Sequence, residues 1–300
     1  MQLDNTRIAV RERNLLEIFD LALHVMREFW KPWLTCSLIA ILPLALLNYA
    51  LIGWMADIDY DESWPLNFPW RFVWNMSVLV YIEAPIATSF VVAFLGPAVF
   101  LDKPTIRQVL RDTLQFAPQL ALCQALLRGM LPVCLLYLLI DRYDGNPLIE
   151  GLLIPGIALY AGIVRAMRPN LTEIILLEKN PLRARGANVV TIGKRSAHLH
   201  DPSAADLIIR WFGSAALTLM LVALTFITLD FGIGLLVSNY WLEWYAAQFL
   251  YPAALWFVAA FLGIVRFLSY LDLRIRHEGW EVELLMRAET LRLAGKGAGG

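Results

Sequence analysis

Six long apolar runs decide what this chain can fold into: residues 33–55, 72–101, 119–140, 150–167, 207–229 and 248–268. A helix needs about 20 apolar residues to cross a hydrocarbon core of roughly 30 Å, and each run is close to that length or longer. In lipid every backbone polar group must be satisfied within the structure, which leaves helices and closed barrels. Barrel strands would alternate in segments of about ten residues, and these runs do not alternate. The expected fold class is all-α: a polytopic transmembrane helical bundle of six spans with amphipathic cytoplasmic helices. It forms a single integral membrane domain over 1–300, with a cytoplasmic helical tail at 269–300. Composition agrees, with 59% hydrophobic and 17% charged residues, against roughly 45–50% and about 25% in soluble domains.

The basic residues test the count independently. With a cytoplasmic N-terminus, the segments 1–32, 102–118, 165–210 and 266–300 face inward and hold 22 of the 25 Lys and Arg. Arg71 and Arg142 fall outside, and Arg128 lies within the third run. Positive residues are retained on the cytoplasmic side, so both termini are expected there. The aromatic residues Trp54, Trp64, Trp70 and Trp74, beside Asp57, Asp59, Asp61 and Glu62, mark one outer interface. Tyr240, Trp241, Trp244 and Tyr245 mark another. The first thirty residues are polar, so no cleavable signal peptide is expected and the first span acts as a signal anchor.

Between the runs lie amphipathic stretches. Residues 14–31 read as a helix opened by Asn14 and Glu17 in a capping-box variant. Its expected apolar face is Leu15, Phe19, Leu23, Met26 and Trp30, laid either on the membrane interface or on the bundle, and Pro32 ends it. A second short helix starts at Lys103-Pro104-Thr105, and Asp201-Pro202-Ser203 reads as the cap and first residue of a third. The spacing suggests three units of entry helix, span, loop and returning span, about 90 residues apart. Basic residues Arg183, Arg185, Lys194 and Arg195 are placed to meet anionic lipid. Past the sixth run, Asp272 with Arg276, Arg274 with Glu278, and Glu283 with Arg287 pair four residues apart along a continuing helix.

Candidate chemistry is sparse. Arg128 sits nine residues into its run, about 13 Å deep at the helical rise. A charge there usually faces a bundle interior or cavity. It binds an anionic group, snorkels, or pairs with a carboxylate. Glu83 is the second membrane-embedded candidate, with Pro85 placing it toward the outer surface and out of direct reach of Arg128. His198, His200 and Asp201 lack the further ligands a zinc site wants, so no metal or other cofactor is expected. Cys36, Cys123 and Cys134 lie in apolar runs, which argues against a disulfide framework. Net charge of −1 gives no case for nucleic acid. No nucleotide loop, zinc-protease helix or nucleophile elbow is present, and the expectation is that the chain is not an enzyme.

Several segments resemble a group of bacterial six-span proteins related to the membrane domain of glycerophosphoryl diester phosphodiesterases. They are 15–20 (LLEIFD), the Leu-Pro of the first run, 173–178 (EIILLE), 193–196 (GKRS) and 270–276 (YLDLRIR) with Glu278-Gly279. The resemblance implies the bacterial cytoplasmic (inner) membrane. The phosphodiesterase barrel and its metal ligands have no counterpart here, so that activity is not carried over. The expected role is a scaffold or lipid-associated assembly component. Its partners would be membrane lipids and proteins docking on the cytoplasmic helices. The alternative is a transporter or permease for an anionic or lipid-like solute, using a cavity lined by Arg128.

Overall fold

Three polar segments that lead into apolar runs begin on capped helices, and the caps share one geometry. Asn14, Thr105 and Thr191 have extended backbones, with φ/ψ of −77/161°, −77/147° and −81/160°. They open α1 (Leu15–Glu28), α5 (Ile106–Gln115) and α10 (Ile192–His200). Thr105 and Thr191 accept first-turn N–H groups from Gln108 and Lys194, each at 3.4 Å, and Glu17 accepts from Asn14 N at 3.2 Å. Such bonds satisfy donors that a helix start leaves orphaned. Each entry helix then reaches a hinge at Phe29, Phe116 or Ser203, with φ/ψ of −110/27°, −96/5° and −113/18°. Beyond the hinges run α2 (Trp30–Ile52), α6 (Ala117–Leu120) and α11 (Ala204–Val237). The 90-residue recurrence thus has a backbone counterpart. Two local expectations are corrected. Asp201 does not cap the third helix but follows it, in a 3-10 turn, and faces Arg168 at 3.7 Å. Pro32 does not end the first helix but lies in the opening turn of α2, where its missing N–H costs nothing.

The computed structural model describes residues 13–56, 69–99, 104–140, 148–183, 190–238 and 245–278. The acidic outer loop at 57–62, Trp64, Arg142, Arg185, the aromatic group at 240–244 and the tail beyond 278 lie outside them, as does the side chain of Glu278, so the pairs Arg274 with Glu278 and Glu283 with Arg287 fall outside the described residues. The second crossing is α3 (Trp70–Ala87) and α4 (Ser89–Val99), divided at Thr88. The third joins α6, a π-helical turn (Ala121–Leu126) and α7 (Met130–Tyr137). α8 (Ile154–Met167) makes the fourth, α11 the fifth and α12 (Tyr251–Glu278) the sixth, with α9 (Leu171–Leu177) and α10 between the fourth and fifth. The apolar runs fall on these helices, with α11 continuing through 34 residues without a break and α12 continuing to Glu278.

The third crossing is bent by 63° between Leu126 and Met130, yet it traverses the bundle. At one end Gln124 Nε2 donates to Thr172 Oγ1 beside α9 at 2.8 Å. At the other, Tyr137 Oη donates to Asn75 Oδ1 at 2.8 Å, within two turns of the start of α3. The described chain also begins and ends on one side of the bundle. Arg13 N donates to Asp272 Oδ1 at 2.8 Å, and Arg276 Nη2 donates to Arg13 O at 2.9 Å.

Helices α3, α4 and α12 form the centre, and α11 lies against α12 and α8 at the edge. Among α11's residues only Leu207 and Gly234 are buried, while Leu219, Phe212 and Leu236 stand 73%, 65% and 86% exposed. Soluble monomers rarely expose apolar patches beyond a few hundred Å². A helix this bare and this apolar is a lipid-facing one. Two apolar cores stack along the bundle, one around Val91, Ile174 and Ile264 and the other around Leu79, Val133 and Trp256. Thr88 and Ser89 are buried where α3 passes from the second to the first.

α1 lies on the bundle, against α12 and α2. Its buried stripe is Ile18, Ala22 and Val25, with Phe19 edge-on to Phe261 at 6.0 Å. The expected face was therefore rotated: Leu23 is half exposed and Met26 only borders the core. Small Ala22, invisible to an apolar-stripe reading, lets α12 approach. Asp272 ties this corner together, accepting from Arg13 N and from Arg210 and Arg276, both at 3.1 Å.

The segment after α8 is not a lipid-facing loop. α9 is buried from Thr172 to Leu176, and Glu178 after it anchors α10 and α12. Glu178 accepts from Arg195 Nη2 at 2.9 Å and from Tyr270 Oη at 2.6 Å, with Arg274 at 3.8 Å. Burial pushes the Glu178 carboxyl up. The hydrogen bonds from Arg195 and Tyr270 and the two guanidinium charges outweigh it and hold the group below the usual range. A carboxyl with a depressed folded value stabilises fully above its unfolded pKa, about 4.3, and less as pH falls through the folded one. The thermal unfolding midpoint in detergent is therefore expected to fall on acidification below about pH 4. In Glu178→Gln this acid slope should be shallower and the midpoint lower already at neutral pH.

Candidate functional site

The site begins with a break in the third crossing. Pro118 starts α6 and the chain widens into the π-helical turn, whose Leu127 N reaches back to Leu122 O at 3.1 Å. Gly129 then takes φ +85°, and α7 restarts with Pro132 in its first turn. A side chain at 129 would be strained by that backbone and would also meet Ile157 Cγ2 at 2.4 Å from its Cβ. Arg128, next to this turn, is swung into the protein and is 1% exposed.

Buried Arg128 does not snorkel, and among the described residues it pairs with no carboxylate. Its Nη2 donates at 2.6 Å to the carbonyl of Arg168, the residue that ends α8. A helix C-terminus carries orphan carbonyls and partial negative charge, which suits a cation. Nε and Nη1 of Arg128 remain buried without a hydrogen-bond partner.

Other cations gather around it. Arg165 of α8 donates to Ile82 O at 2.9 Å and lies over the Tyr81 ring at 4.2 Å, with Nε unpartnered. Arg266 of α12 donates to Glu173 Oε1 at 2.8 Å and to Thr88 Oγ1 at 3.1 Å. The approach depends on Gly263, whose added Cβ would come within 2.8 Å of Thr88. Arg165 and Arg266 both repel Arg128, and Glu173 attracts it. Among the described residues, buried Arg128 and half-buried Arg165 and Arg266 thus meet one fully buried carboxylate, a local surplus of two positive charges. Around them Glu173 Oε2, Asn170 Oδ1, Gln124 Oε1 and His200 Nε2 are buried and unpartnered, His200 having given Nδ1–H to Ser196 O at 2.7 Å.

Glu83 is elsewhere. It is 0% exposed, and α3 runs straight through Pro85 to Thr88, so the expected change at Pro85 from an outer segment to the span is absent. Its partner is Asn48 of α2, at 2.8 Å, and no ion pair joins it to Arg128. Arg165, Arg266 and Glu173 read from the sequence as inner-segment charges, since Arg165 and Arg266 lie at the inner ends of their runs and Glu173 lies past one. The sequence Arg128-Gly129 followed by Pro132, a helix stop and restart beside an embedded charge, was the available sign that neighbours would be drawn in.

The fold and the cluster define a class: an all-α, multi-pass helical chain with spans long and apolar enough for a membrane, enclosing surplus positive charge. No protein-family model, curated protein or solved structure matches the chain.

Proposed function

We propose that the chain is a non-enzymatic integral protein of the bacterial inner membrane, with both ends cytoplasmic, that holds an anionic group on Arg128, Arg165 and Arg266. One observation carries this reading: buried Arg128 and half-buried Arg165 have no carboxylate partner among the described residues, and Arg128 Nε and Nη1 have no acceptor. Uncompensated buried charge is costly, and a phosphate-type oxyanion supplies both the charge and the fork-matched oxygens. The orphan acceptors Glu173 Oε2 and Asn170 Oδ1 favour a ligand that also brings hydroxyl or ammonium donors. A phospholipid headgroup and a free phosphorylated solute share that chemistry. A lipid-associated role follows from the first, and transport is the reading favoured by the broken third crossing, since interrupted helices commonly line solute sites.

The test measures lipid retained through detergent purification, by native mass spectrometry, and inorganic phosphate binding, by calorimetry. Arg128→Leu is expected to lose at least tenfold in affinity for whichever oxyanion the wild type holds, from charged hydrogen bonds worth about 1.5–3 kcal/mol. Arg128→Lys, which keeps the charge without the fork, should fall between. Retained lipid with no phosphate binding assigns a headgroup, and the converse assigns a solute. Equal retention by wild type and Arg128→Leu would sink the proposal.

A further inference from the structure

A second buried polar pair lies in the middle of the bundle and takes no part in the arginine cluster. Asn48 of α2 and Glu83 of α3 are both 0% exposed, and Asn48 Nδ2 donates to Glu83 Oε2 at 2.8 Å. The two remaining oxygens, Glu83 Oε1 and Asn48 Oδ1, are buried and have no hydrogen-bond partner. Two acceptors are left over, and the pair contains nothing to bridge them.

Among the described residues no cation compensates the carboxyl. From α7, Cys134 and Tyr137 face it, and the Tyr137 hydroxyl is already given to Asn75. From α8, Arg165 directs Nη2 to the backbone of Ile82 and its face to Tyr81. From α12, Tyr251 bonds Ser77 at 2.6 Å and Arg266 is held by Glu173 and Thr88. Among the described residues, no Lys, Arg or His pairs with Glu83. An ionised carboxylate with one amide bond and no counter-charge is strongly disfavoured in such a place.

A single added hydrogen resolves both orphans. With a proton on Oε1, the acid O–H donates to Asn48 Oδ1 while the amide N–H donates to Oε2, and every polar atom of the pair is used. We propose that Glu83 Oε1 is a proton-binding site inside the bundle, and that the bound proton closes an acid–amide pair with Asn48 that latches α2 to α3. The proton comes from water and returns to it, with no other bond made or broken. Both helices carry a proline close to the latch, Pro43 and Pro85. Each leaves one carbonyl without its helical donor, so the latch spans the places where these helices yield most easily. The inference does not depend on oxyanion binding.

Infrared difference spectroscopy on protein in phosphatidylcholine vesicles at neutral pH tests it, with no added anion. Wild type should show the C=O stretch of a protonated carboxyl that is absent from Glu83→Gln. That variant is isosteric with the protonated acid and should elute as the wild type does in size-exclusion chromatography. Asn48→Leu should keep the band but move it in frequency, because the carbonyl loses its amide donor. The proposal is overturned if wild type and Glu83→Gln differ only in carboxylate stretches, whether or not these respond to sodium. An unmoved band in Asn48→Leu would overturn the latch.

Discussion

Glu173→Leu is expected to destabilise the protein by about 3–5 kcal/mol, read as a lower unfolding midpoint in detergent micelles. Glu173 is the one fully buried carboxylate among Arg128, Arg165 and Arg266, and it takes Arg266 Nε at 2.8 Å. Removing one partner of a buried ion pair leaves the other charge uncompensated, which is where a loss of that size comes from. Here the remaining guanidiniums also repel one another, since Arg128 feels both Arg165 and Arg266. The double variant Glu173→Leu with Arg266→Met should recover most of the loss, because replacing a whole buried pair by apolar groups is often close to neutral. Were the double variant as unstable as the single one, Glu173 would matter for packing in α9 and not for charge. Added anionic lipid should also rescue the single variant more than the wild type, as expected if the cluster holds an oxyanion.

Gly129→Ala should be nearly as damaging, for two separable reasons. The backbone at φ +85° disfavours an L side chain by about 1–2 kcal/mol. The new Cβ would meet Ile157 Cγ2 at 2.4 Å, and overpacking of that kind costs about 1–3 kcal/mol more. Ile157→Ala in the same chain should relieve the steric part and leave the backbone part, so partial recovery of the midpoint is the expected result. Full recovery would mean that the left-handed turn carries no strain. Because the turn aims Arg128, oxyanion retention should fall along with stability, and should return only partly in the double variant.

How far each feature could be read ahead depends on the range of the interaction behind it. The crossings were legible because burial in lipid is decided residue by residue along 20-residue windows, as the match between 33–55 and Trp30–Ala56 illustrates. Asn14 with Glu17 could be read for the same reason, since a cap is made within four residues. Arg128 and Glu83 stood out as charged residues in apolar runs, but their partners did not. The partners of Glu173 became legible only once α9 was seen to be buried, and Arg266 looked like a frayed span end until it was seen to reach Thr88. The face of α1 was misjudged because Ala22 contributes by being small, which only the docked helix α12 can make use of.

The amino-acid sequence alone determined the all-α class, where the long apolar helices fall and which charged side chains would be expensive to enclose. Those follow from transfer free energies that each residue carries with it wherever it is placed. The tertiary structure decided which charges meet: Arg128 with the end of α8, Arg266 with Glu173, Glu83 with Asn48. Contacts between residues up to 93 positions apart depend on a left-handed glycine, a close helix approach at Gly263 and a short buried helix acting together. No local propensity encodes such a coincidence, because its energy exists only once all the helices are in place.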